Sequence, residues 1–305
     1  MAAEVSSAPA DIEAEPATSS RIGGVVIPVR DLAASRAFYA EILPRAQGEW
    51  IEGPSSLTFR GPEQRVELVR RASPRVSGIS GPHCGFRVPT ASLEPTVDAL
   101  LGMGHEVYWW REDHPSERQP TAYALDPSDN LVQLVASDTG GLLSHVTLAV
   151  HDLELAEKFY LAALWGVVDH YHGWRTDDIV DAQAGASDGE PCAPWTRAAR
   201  YSRIRHESVA RPTPQLYIRY GDDMLGLVVA TRHIQEPPEE TLKGTPRVIV
   251  QTERSVRQVA EEFPTLRIAT GWRLEKARGV AFRRERQTLF FRDRSGNFLQ
   301  LDCAS

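Results

Sequence analysis

The chain has 305 residues, 34 of them basic and 41 acidic, and a formal net charge of −7 at pH 7. This length is typical of two domains or one large domain, and 42% hydrophobic with 25% charged residues is typical of a globular protein. The negative charge and the absence of a strong basic stretch argue against binding to nucleic acid. The sequence contains no run of about 18 apolar residues, so no membrane span is predicted. Three cysteines without a CxxC pair argue against a disulfide framework and favour a cytoplasmic location.

The first 20 residues differ in composition from the rest of the chain. They contain Glu4, Asp11, Glu13 and Glu15 and no basic residue, so they carry −4 of the net charge. They are rich in Ala, Pro, Ser and Glu, and they lack the apolar core and cleavage pattern of a secretory signal. We therefore predict a disordered acidic tail over residues 1–20.

After the tail, strands and helices are predicted in a recurring order. The segment VVIPV alternates as a strand does, and Asp31 then precedes an apolar periodicity that predicts a helix with this aspartate as its N-cap. A hairpin follows, formed by SLTFRG and RVELVRR. The next predicted elements are a strand (HCGFRV), a helix (LEPTVDALLGMG) and three strands (HEVYWW, TAYALD and NLVQLVA), with a turn at DPSDN. The order β-α-β-β-β therefore occurs twice, and the fold class is α+β.

The second half of the chain repeats the first. Residues 25–43 match residues 146–164 at an offset of 121, and residues 125–134 match 292–301 at an offset of 167. The second copy therefore contains about 46 additional residues, which we place at about 172–215. We expect this insertion to form a lid or wall over the site of the second copy, or a contact between subunits.

The repeated motifs resemble those of the vicinal oxygen chelate (VOC) superfamily. The resemblance rests on SHVTLAVHDLELAEKFY and, far downstream, DRSGNFLQL, together with their counterparts in the first copy. The superfamily includes glyoxalase I, extradiol ring-cleaving dioxygenases, an epimerase, fosfomycin-modifying enzymes and bleomycin-binding proteins. It implies two tandem VOC domains, in which four βαβββ modules form two curled mixed-sheet cups.

The resemblance also implies domain boundaries. The first domain would span residues 21–137, with modules at about 21–73 and 81–137. The second would span residues 142–305, with modules at about 142–234 and 245–303.

In this superfamily, the first and last strands of each module supply ligands to one divalent metal ion. Position by position, the resemblance places Gly24 and Glu67 in module one, His83 and Gln133 in module two, His145 in module three, and approximately Thr245 with Gln300 in module four. The last strand of module three offers no ligand. The implied metal ligands are His83, Gln133, Glu67, His145 and Gln300. The metal is left open among Mn, Co, Ni, Zn, Mg and Fe.

Two pairings of the modules are compatible with the sequence. If modules one and two share a cup, the ligands are Glu67, His83 and Gln133, and Gly24 leaves a position for water. If the modules swap, module two meets module three, and the ligands are His83, Gln133 and His145. His83 and Gln133 belong to both arrangements.

The resemblance implies an electrophilic mechanism in which the metal chelates two adjacent substrate oxygens and an enolate is stabilised. Glu67 would act as the base, and Tyr123 would donate a hydrogen bond to a substrate oxygen. The predicted function is a metal-dependent lyase, isomerase or epimerase acting on a small oxygenated substrate. Ring-cleaving dioxygenase activity ranks below these reactions. In the second copy, threonine and glutamine replace the second histidine and the carboxylate that an Fe(II) site is expected to have.

The alternative function is binding without catalysis. In that case the chain sequesters a small molecule, as bleomycin-resistance proteins do, and has lost its metal. The expected partner in both cases is a small molecule, with no nucleic acid and no membrane, and a homodimer is left open. Five tryptophans suit an aromatic ligand, namely Trp109, Trp110, Trp174, Trp195 and Trp272.

Overall fold

The described part of the chain contains fifteen strands, three complete α-helices and a short 3-10 helix (Thr90–Ser92). The computed structural model describes residues 20–43, 47–71, 83–110, 121–150, 153–172, 215–229, 247–255, 257–259, 288–293, 295 and 297–304. The predicted tail up to residue 19, the insertion between residues 172 and 215, and Trp272 lie outside these residues, as do the side chains of Trp109 and Trp110. None of the described helices is long and apolar enough to cross a membrane.

The first half of the chain contains two complete β-α-β-β-β modules, as the sequence predicts, although the strand that follows the helix of module one (Glu49–Glu52) was not among the predicted strands. Module one consists of β1 (Ser20–Val29), α1 (Leu32–Ile42), β2 (Glu49–Glu52), β3 (Ser56–Arg60) and β4 (Arg65–Arg70). Module two consists of β5 (His83–Val88), α2 (Leu93–Gly102), β6 (Val107–Trp110), β7 (Thr121–Leu125) and β8 (Leu131–Ala136).

The first module of the second half repeats this order. Module three consists of β9 (Leu143–Val150), α3 (Leu153–Leu164), β10 (Val167–His172), β11 (Gln215–Tyr220) and β12 (Asp223–Val229). In module four the described strands are β13 (Arg247–Ser255), β14 (Thr288–Arg292) and β15 (Phe298–Ala304), and residues 257–259 are helical.

The strands form two mixed sheets. Sheet I has the order β14-β15-β13-β1-β4-β3-β2, and sheet II has the order β10-β11-β12-β9-β5-β8-β7-β6. The first strand of each module pairs in parallel with its last strand. Antiparallel pairing of β1 with β13 joins module one to module four, and antiparallel pairing of β5 with β9 joins module two to module three. Of the two pairings compatible with the sequence, the structure therefore has the swapped one.

Local sequence accounts for the start of α1. Asp31 Oδ1 accepts hydrogen bonds from the backbone N–H groups of Ala33 (2.7 Å) and Ala34 (3.0 Å), which confirms the predicted N-cap. These two bonds favour the ionised form and lower the pKa of Asp31 below its usual 3.8. The helix then buries Phe38 and Tyr39 against the sheets.

One hydrogen bond explains both parts of the sequence repeat. Tyr39 on α1 donates its hydroxyl to Asp126 Oδ2 (3.1 Å), and its counterpart Tyr160 on α3 donates to Asp293 Oδ2 (2.9 Å). Each bond links a helix of one module to a turn of the next, and both aspartates are buried. Burial is the main cause that raises the pKa of Asp126 and of Asp293. The Phe-Tyr motif and the Asp-containing turn therefore recur because each supplies one end of this bond.

A second polar contact joins the two sheets near the ends of β4 and β12. Gln64 Nε2 donates to Asp223 Oδ2 (2.7 Å), and Gln64 Oε1 accepts from the backbone N–H groups of Leu142 (2.6 Å) and Leu143 (2.9 Å). Arg87 forms a buried ion pair with Asp223 at 2.9 Å. Because these groups are buried and bonded to one another, they fix the relative positions of the sheets.

We expect this contact to make stability depend on pH. Burial raises the pKa of Asp223 from 3.8 to about 6, against the opposing attraction of Arg87. The folded chain therefore holds this proton more tightly than the unfolded chain, so the stability it contributes is present below about pH 4 and is lost as pH rises through about 6. The shift of about two pKa units corresponds to about 3 kcal/mol.

Denaturant unfolding at pH 4 and pH 7 measures this effect. The Asp223→Asn variant cannot titrate, so its free energy of unfolding should gain about 2 kcal/mol relative to the unmodified chain between the two pH values, because at pH 4 the unfolded chain already binds part of this proton. The exposed Asp98 on α2 offers a control for the substitution itself, and Asp98→Asn should change the free energy of unfolding by no more than about 0.5 kcal/mol. A constant difference for Asp223→Asn would contradict the assignment.

Candidate functional site

The helices cover one face of each sheet, where the hydrophobic core lies. We call the opposite face the inner face. In sheet II, Gly85 on β5 pairs with Gln133 on β8, and His83 lies two residues before Gly85 on the same face. In the neighbouring module, Gly226 takes the register position of Gln133, and His145 takes that of His83. The ligand positions of the resemblance therefore meet on this face as His83, Gln133, His145 and Gly226.

Three donor atoms of sheet II converge. His83 Nε2 lies 3.0 Å from Gln133 Oε1 and 3.0 Å from His145 Nε2. The two imidazole rings are nearly perpendicular, at 87°, with their centroids 5.1 Å apart. Gln133 and His145 are 3% and 8% exposed, so both donors are held inside the protein. Two groups that bind one transition metal at about 2.1 Å and at a right angle lie about 3 Å apart, so these spacings fit shared coordination.

A glycine makes room for this cluster. Gly85 pairs with His145 across β5 and β9, and a Cβ atom at Gly85 would lie 2.3 Å from His145 Cε1 and 2.5 Å from Nδ1. Only glycine therefore leaves the space that the imidazole occupies next to β5, where its Nε2 lies 3.0 Å from His83 Nε2. This requirement could not be read from the sequence, because Gly85 resembles any other glycine in a strand.

The surroundings of His145 favour its neutral form. Burial lowers the pKa of His145 well below 6.5, and the positive charges of His83 in its ionised form and of Arg87 act in the same direction. The neighbouring Ser144 hydroxyl lies 2.7 Å from Nδ1 and orients the ring. A neutral imidazole with one nitrogen held by a polar partner is the form that binds a metal ion through the other nitrogen.

The donor set fits a metal ion but carries no negative charge. Among the described residues, no group of three or more His, Cys, Asp or Glu side chains could hold a metal, so no acidic side chain joins His83 and His145. The third donor is the neutral amide oxygen of Gln133. Two imidazoles and one amide oxygen suit a divalent ion such as Zn, Co, Ni or Mn and lack the carboxylate of a typical Fe(II) oxygenase site.

Tyr123 lies beside the same cluster. It pairs with Gln133 across β7 and β8, and its ring centroid is 5.8 Å from that of His83. The structure therefore brings Tyr123 together with His83, Gln133 and His145.

The inner face of sheet I has different chemistry at the same positions. Glu67 pairs with Val26 across β1 and β4, and Gln300 pairs with Ile249 across β13 and β15. Arg247 lies two residues before Ile249 and so takes the register position of His83. The sequence placed approximately Thr245 at this ligand position, and the structure places Arg247 there, two residues later. Thr245 itself lies outside the described residues.

Arg247 is a buried cation with defined neighbours. It is 8% exposed, its Nε donates to Gln300 Oε1 (2.9 Å), and its guanidinium lies 5.5 Å and 6.0 Å from the ring centroids of Phe290 and Phe298. Burial lowers the pKa of Arg247 to about 10, although the carboxylate of Glu67 attracts its charge. The group remains protonated at neutral pH.

Asp302 completes the polar part of this face. It forms an ion pair with Arg65 at 2.8 Å and accepts hydrogen bonds from Gln300 Nε2 (2.9 Å) and from the Thr288 hydroxyl (2.8 Å). Arg65 is therefore the ion-pair partner of Asp302. Glu67 is the carboxylate that attracts the charge of Arg247 most strongly.

The structure divides the predicted site residues into two groups. His83, Gln133, His145 and Tyr123 lie together on sheet II, whereas Glu67 and Gln300 lie on sheet I beside Arg247. Glu67 does not share a face with His83 and Gln133, because β4 pairs with β1 and β3 and not with a strand of module two. Arg247 was not predicted from the sequence. It could have been found from a spacing, because the ligand position on the first strand of a module lies two residues before the residue that pairs with the ligand position on the last strand.

Comparisons with known proteins bear on the fold. No family model matches the chain, and no curated protein sequence matches it. Among solved structures, glyoxalase I from Zea mays aligns with a TM-score of 0.63 at 20% identity, over 93% of this chain and 92% of the maize chain. A proposed dioxygenase from Bacillus subtilis aligns with a TM-score of 0.60 at 11% identity, over 94% of this chain and 86% of the other.

Both alignments extend over more than nine-tenths of this chain and so include both sheets. The class of protein is therefore defined by its architecture: the chain has the fold of the VOC superfamily in its tandem, two-domain form. This confirms the fold class expected from the repeated motifs.

Proposed function

We propose that sheet II holds one divalent metal ion on His83, Gln133 and His145, and that the chain is a metal-dependent enzyme acting on a small oxygenated molecule. The observation that carries this proposal is the approach of His83 Nε2 to both Gln133 Oε1 and His145 Nε2 at 3.0 Å. When bound, a divalent metal supplies Lewis-acid polarisation of substrate oxygens. Gly226 offers no side chain at the fourth ligand position, so the protein would supply three donors and not four.

The residues around the trio have supporting roles in this proposal. Ser144 holds His145 in one orientation, and Gly85 gives its ring the space to face His83. Tyr123 lies close enough to His83 to offer its hydroxyl to an oxygen of the bound molecule. That hydroxyl would orient the substrate and stabilise negative charge that develops on it.

The reaction class that we favour is a lyase, isomerase or epimerase reaction by electrophilic activation. Glu67 was expected from the sequence to accept a proton, but it lies on sheet I, so the proposal takes no base from Glu67. Ring-cleaving dioxygenase chemistry ranks below these reactions, because no described carboxylate joins His83 and His145 to complete the usual Fe(II) set.

A second candidate is a binding protein without catalysis, of the bleomycin-resistance type. The observation that favours it is the neutral donor set, since exchanging a carboxylate for an amide weakens attraction to a divalent cation. In that case His83 would donate to Gln133 or to His145, and the trio would be a hydrogen-bonded cluster.

Metal analysis distinguishes the two candidates. We expect the purified chain to take up a divalent metal through sheet II, with about one equivalent of Zn, Co, Ni or Mn bound per chain. His83→Ala should abolish this uptake because it removes the central donor. His105→Ala is a matched control, because His105 packs against Phe38 outside the trio. Uptake by the unmodified chain that survives in His83→Ala would contradict the assignment.

The Co²⁺ form offers a test of function beyond metal content. Addition of acetohydroxamate, which presents two adjacent oxygens, should change the visible absorption of bound Co²⁺ if coordination positions are open to substrate. A chain that binds no metal but binds small aromatic molecules would support the binding protein. Bound metal with an unchanged spectrum would argue for a structural metal site.

A further inference from the structure

Strand β9 contains a β-bulge directly before His145. Across β5 and β9, Gly85 pairs with His145. The next pair is Phe86 with Leu143, so Ser144 is an extra residue in β9. Leu143 belongs to the hydrophobic core, whereas His145 lies on the inner face with the other proposed ligands. Residues two apart in a regular strand share a face, so the bulge is what turns His145 out of the core.

Strand β1 has the same irregularity. Its pairing with β13 shifts between Ile22 and Gly24, so Gly23 is the extra residue. At the offset of 121 residues that relates the two halves of the chain, Gly23 corresponds to Ser144, and the glycine that follows it corresponds to His145. The bulge therefore recurs with the repeat. In β1 both residues are glycines, whereas in β9 they are the serine and the histidine of the proposed metal site.

One side chain, Gln64 in the turn between β3 and β4, is hydrogen-bonded at both bulges. Its Oε1 accepts from the backbone N–H groups of Leu142 (2.6 Å) and Leu143 (2.9 Å), which lie just before the extra residue of β9. Its Nε2 donates to the backbone oxygen of Ile22 (3.2 Å) in β1 and to Asp223 Oδ2 (2.7 Å). Gln64 is 6% exposed, so water cannot easily replace these bonds.

The chain before β9 is shaped to admit these contacts. Gly141 has a φ of 97°, in the left-handed region, and a Cβ there would lie 2.8 Å from Arg87 Nη1 and 3.3 Å from Gln64 Oε1. Arg87 also donates through Nη1 to the backbone oxygen of Leu143. The start of the bulge is therefore held through its N–H by a residue of module one and through its C=O by a residue of module two.

We propose that Gln64 is a positioning residue for His145, because it holds the bulge at Ser144 in the register that directs the imidazole towards His83. Module one, whose strands lie in sheet I, would thus control the ligand geometry of sheet II. The consequence for metal affinity rests on the function proposed above, whereas the placement of the imidazole does not. Without the glutamine, two buried N–H groups lose their acceptor, and the bulge can relax at the expense of the contact between His145 and His83.

Two measurements on the full chain test this role. Gln64→Met keeps the approximate volume of the side chain and removes its hydrogen bonds. We expect it to shift the imidazole C–H NMR signals of His145 in the metal-free chain and to weaken Zn²⁺ binding by about tenfold or more. Gln258→Met is a matched control and should change neither. Gln258 also accepts from a backbone N–H group, that of Ser255 (2.9 Å), but it is exposed and lies beyond the end of β13.

Further variants separate positioning from a general loss of stability. Asp293→Ala should destabilise the chain through the hydrogen bond from Tyr160, and it should leave the His145 signals and Zn²⁺ binding unchanged. The exchange of Gln64→Glu with Asp223→Asn keeps an acceptor for the two N–H groups and reverses donor and acceptor between the two side chains. This double variant should bind Zn²⁺ more tightly than Gln64→Met.

Unchanged His145 signals in Gln64→Met, or an equal loss of Zn²⁺ affinity in Asp293→Ala, would overturn the proposal. If the unmodified chain binds no metal, the function proposed above fails, and the His145 signals still decide whether Gln64 positions the ring. If Gln64→Met does not fold, hydrogen exchange in the unmodified chain decides. The amide protons of Leu142 and Leu143 should be protected, and exchange at the rate of an unstructured peptide would show that Gln64 does not hold the bulge.

Discussion

Replacing Gly85 by alanine should weaken metal binding by about 10- to 100-fold while leaving the fold intact. The added Cβ would lie 2.3–2.8 Å from three atoms of the His145 ring. Because this ring is 8% exposed and its Nδ1 is held by Ser144, it must rotate or shift away from His83 to relieve the overlap. The change therefore separates two proposed ligands without removing either of them.

Titration with Zn²⁺ in competition with a chelator measures this loss, and far-UV circular dichroism reports whether the fold is retained. Gly140→Ala is a matched control, because Gly140 lies in an exposed turn and a Cβ there meets nothing within 4 Å. Equal affinities for the Gly85→Ala, Gly140→Ala and unmodified chains would show that the position of His145 is irrelevant to metal binding.

Replacing Asp126 by alanine should lower the free energy of unfolding by about 3–5 kcal/mol. Its carboxylate accepts hydrogen bonds from Ser128 N (2.7 Å), Asn130 N (2.8 Å), Asn130 Nδ2 (2.8 Å) and the Tyr39 hydroxyl (3.1 Å). The residue is 3% exposed, so water cannot easily replace the lost acceptor. Each buried donor left without a partner costs about 1–3 kcal/mol, and these costs overlap because the donors are neighbours.

Urea unfolding at constant pH measures the effect. Tyr39→Phe removes a single donor and should cost about 1 kcal/mol. Asp98→Ala changes an exposed aspartate of the same module and should stay within about 0.5 kcal/mol. If Asp126→Ala were no more destabilising than Asp98→Ala, the repeated Tyr–Asp bond would not be what joins the modules. Asp293→Ala tests the second copy, where Tyr160 and Asn297 are the donors.

The order of elements could be predicted because its signals are local. The β-branched run at residues 25–29, the N-cap at Asp31 and the turn around Asp126 each act within a few residues, and the structure confirms the strand, the cap and the turn. The repeat strengthened the prediction, because two copies that share the same buried Tyr–Asp bond keep the same residues at both ends.

The pairing of the modules could not be predicted in this way. It depends on which first strands meet in antiparallel register, and these contacts join residues far apart in the chain, such as Gly24 with Ile249 and Gly85 with His145. The sequence was compatible with both arrangements, because each module presents a similar edge strand.

The sequence alone determined the acidic bias of the N-terminal segment, the α+β class, the four-module repeat and the residue types available at the ligand positions. These follow from composition and from interactions between close neighbours in the chain. The tertiary structure decided which of those residues face each other. It placed His145, and not Glu67, beside His83, and it set Arg247 at the corresponding position of sheet I. The physical reason is that a site depends on the register of strands from different modules, and a sequence-local pattern contains no information about that register.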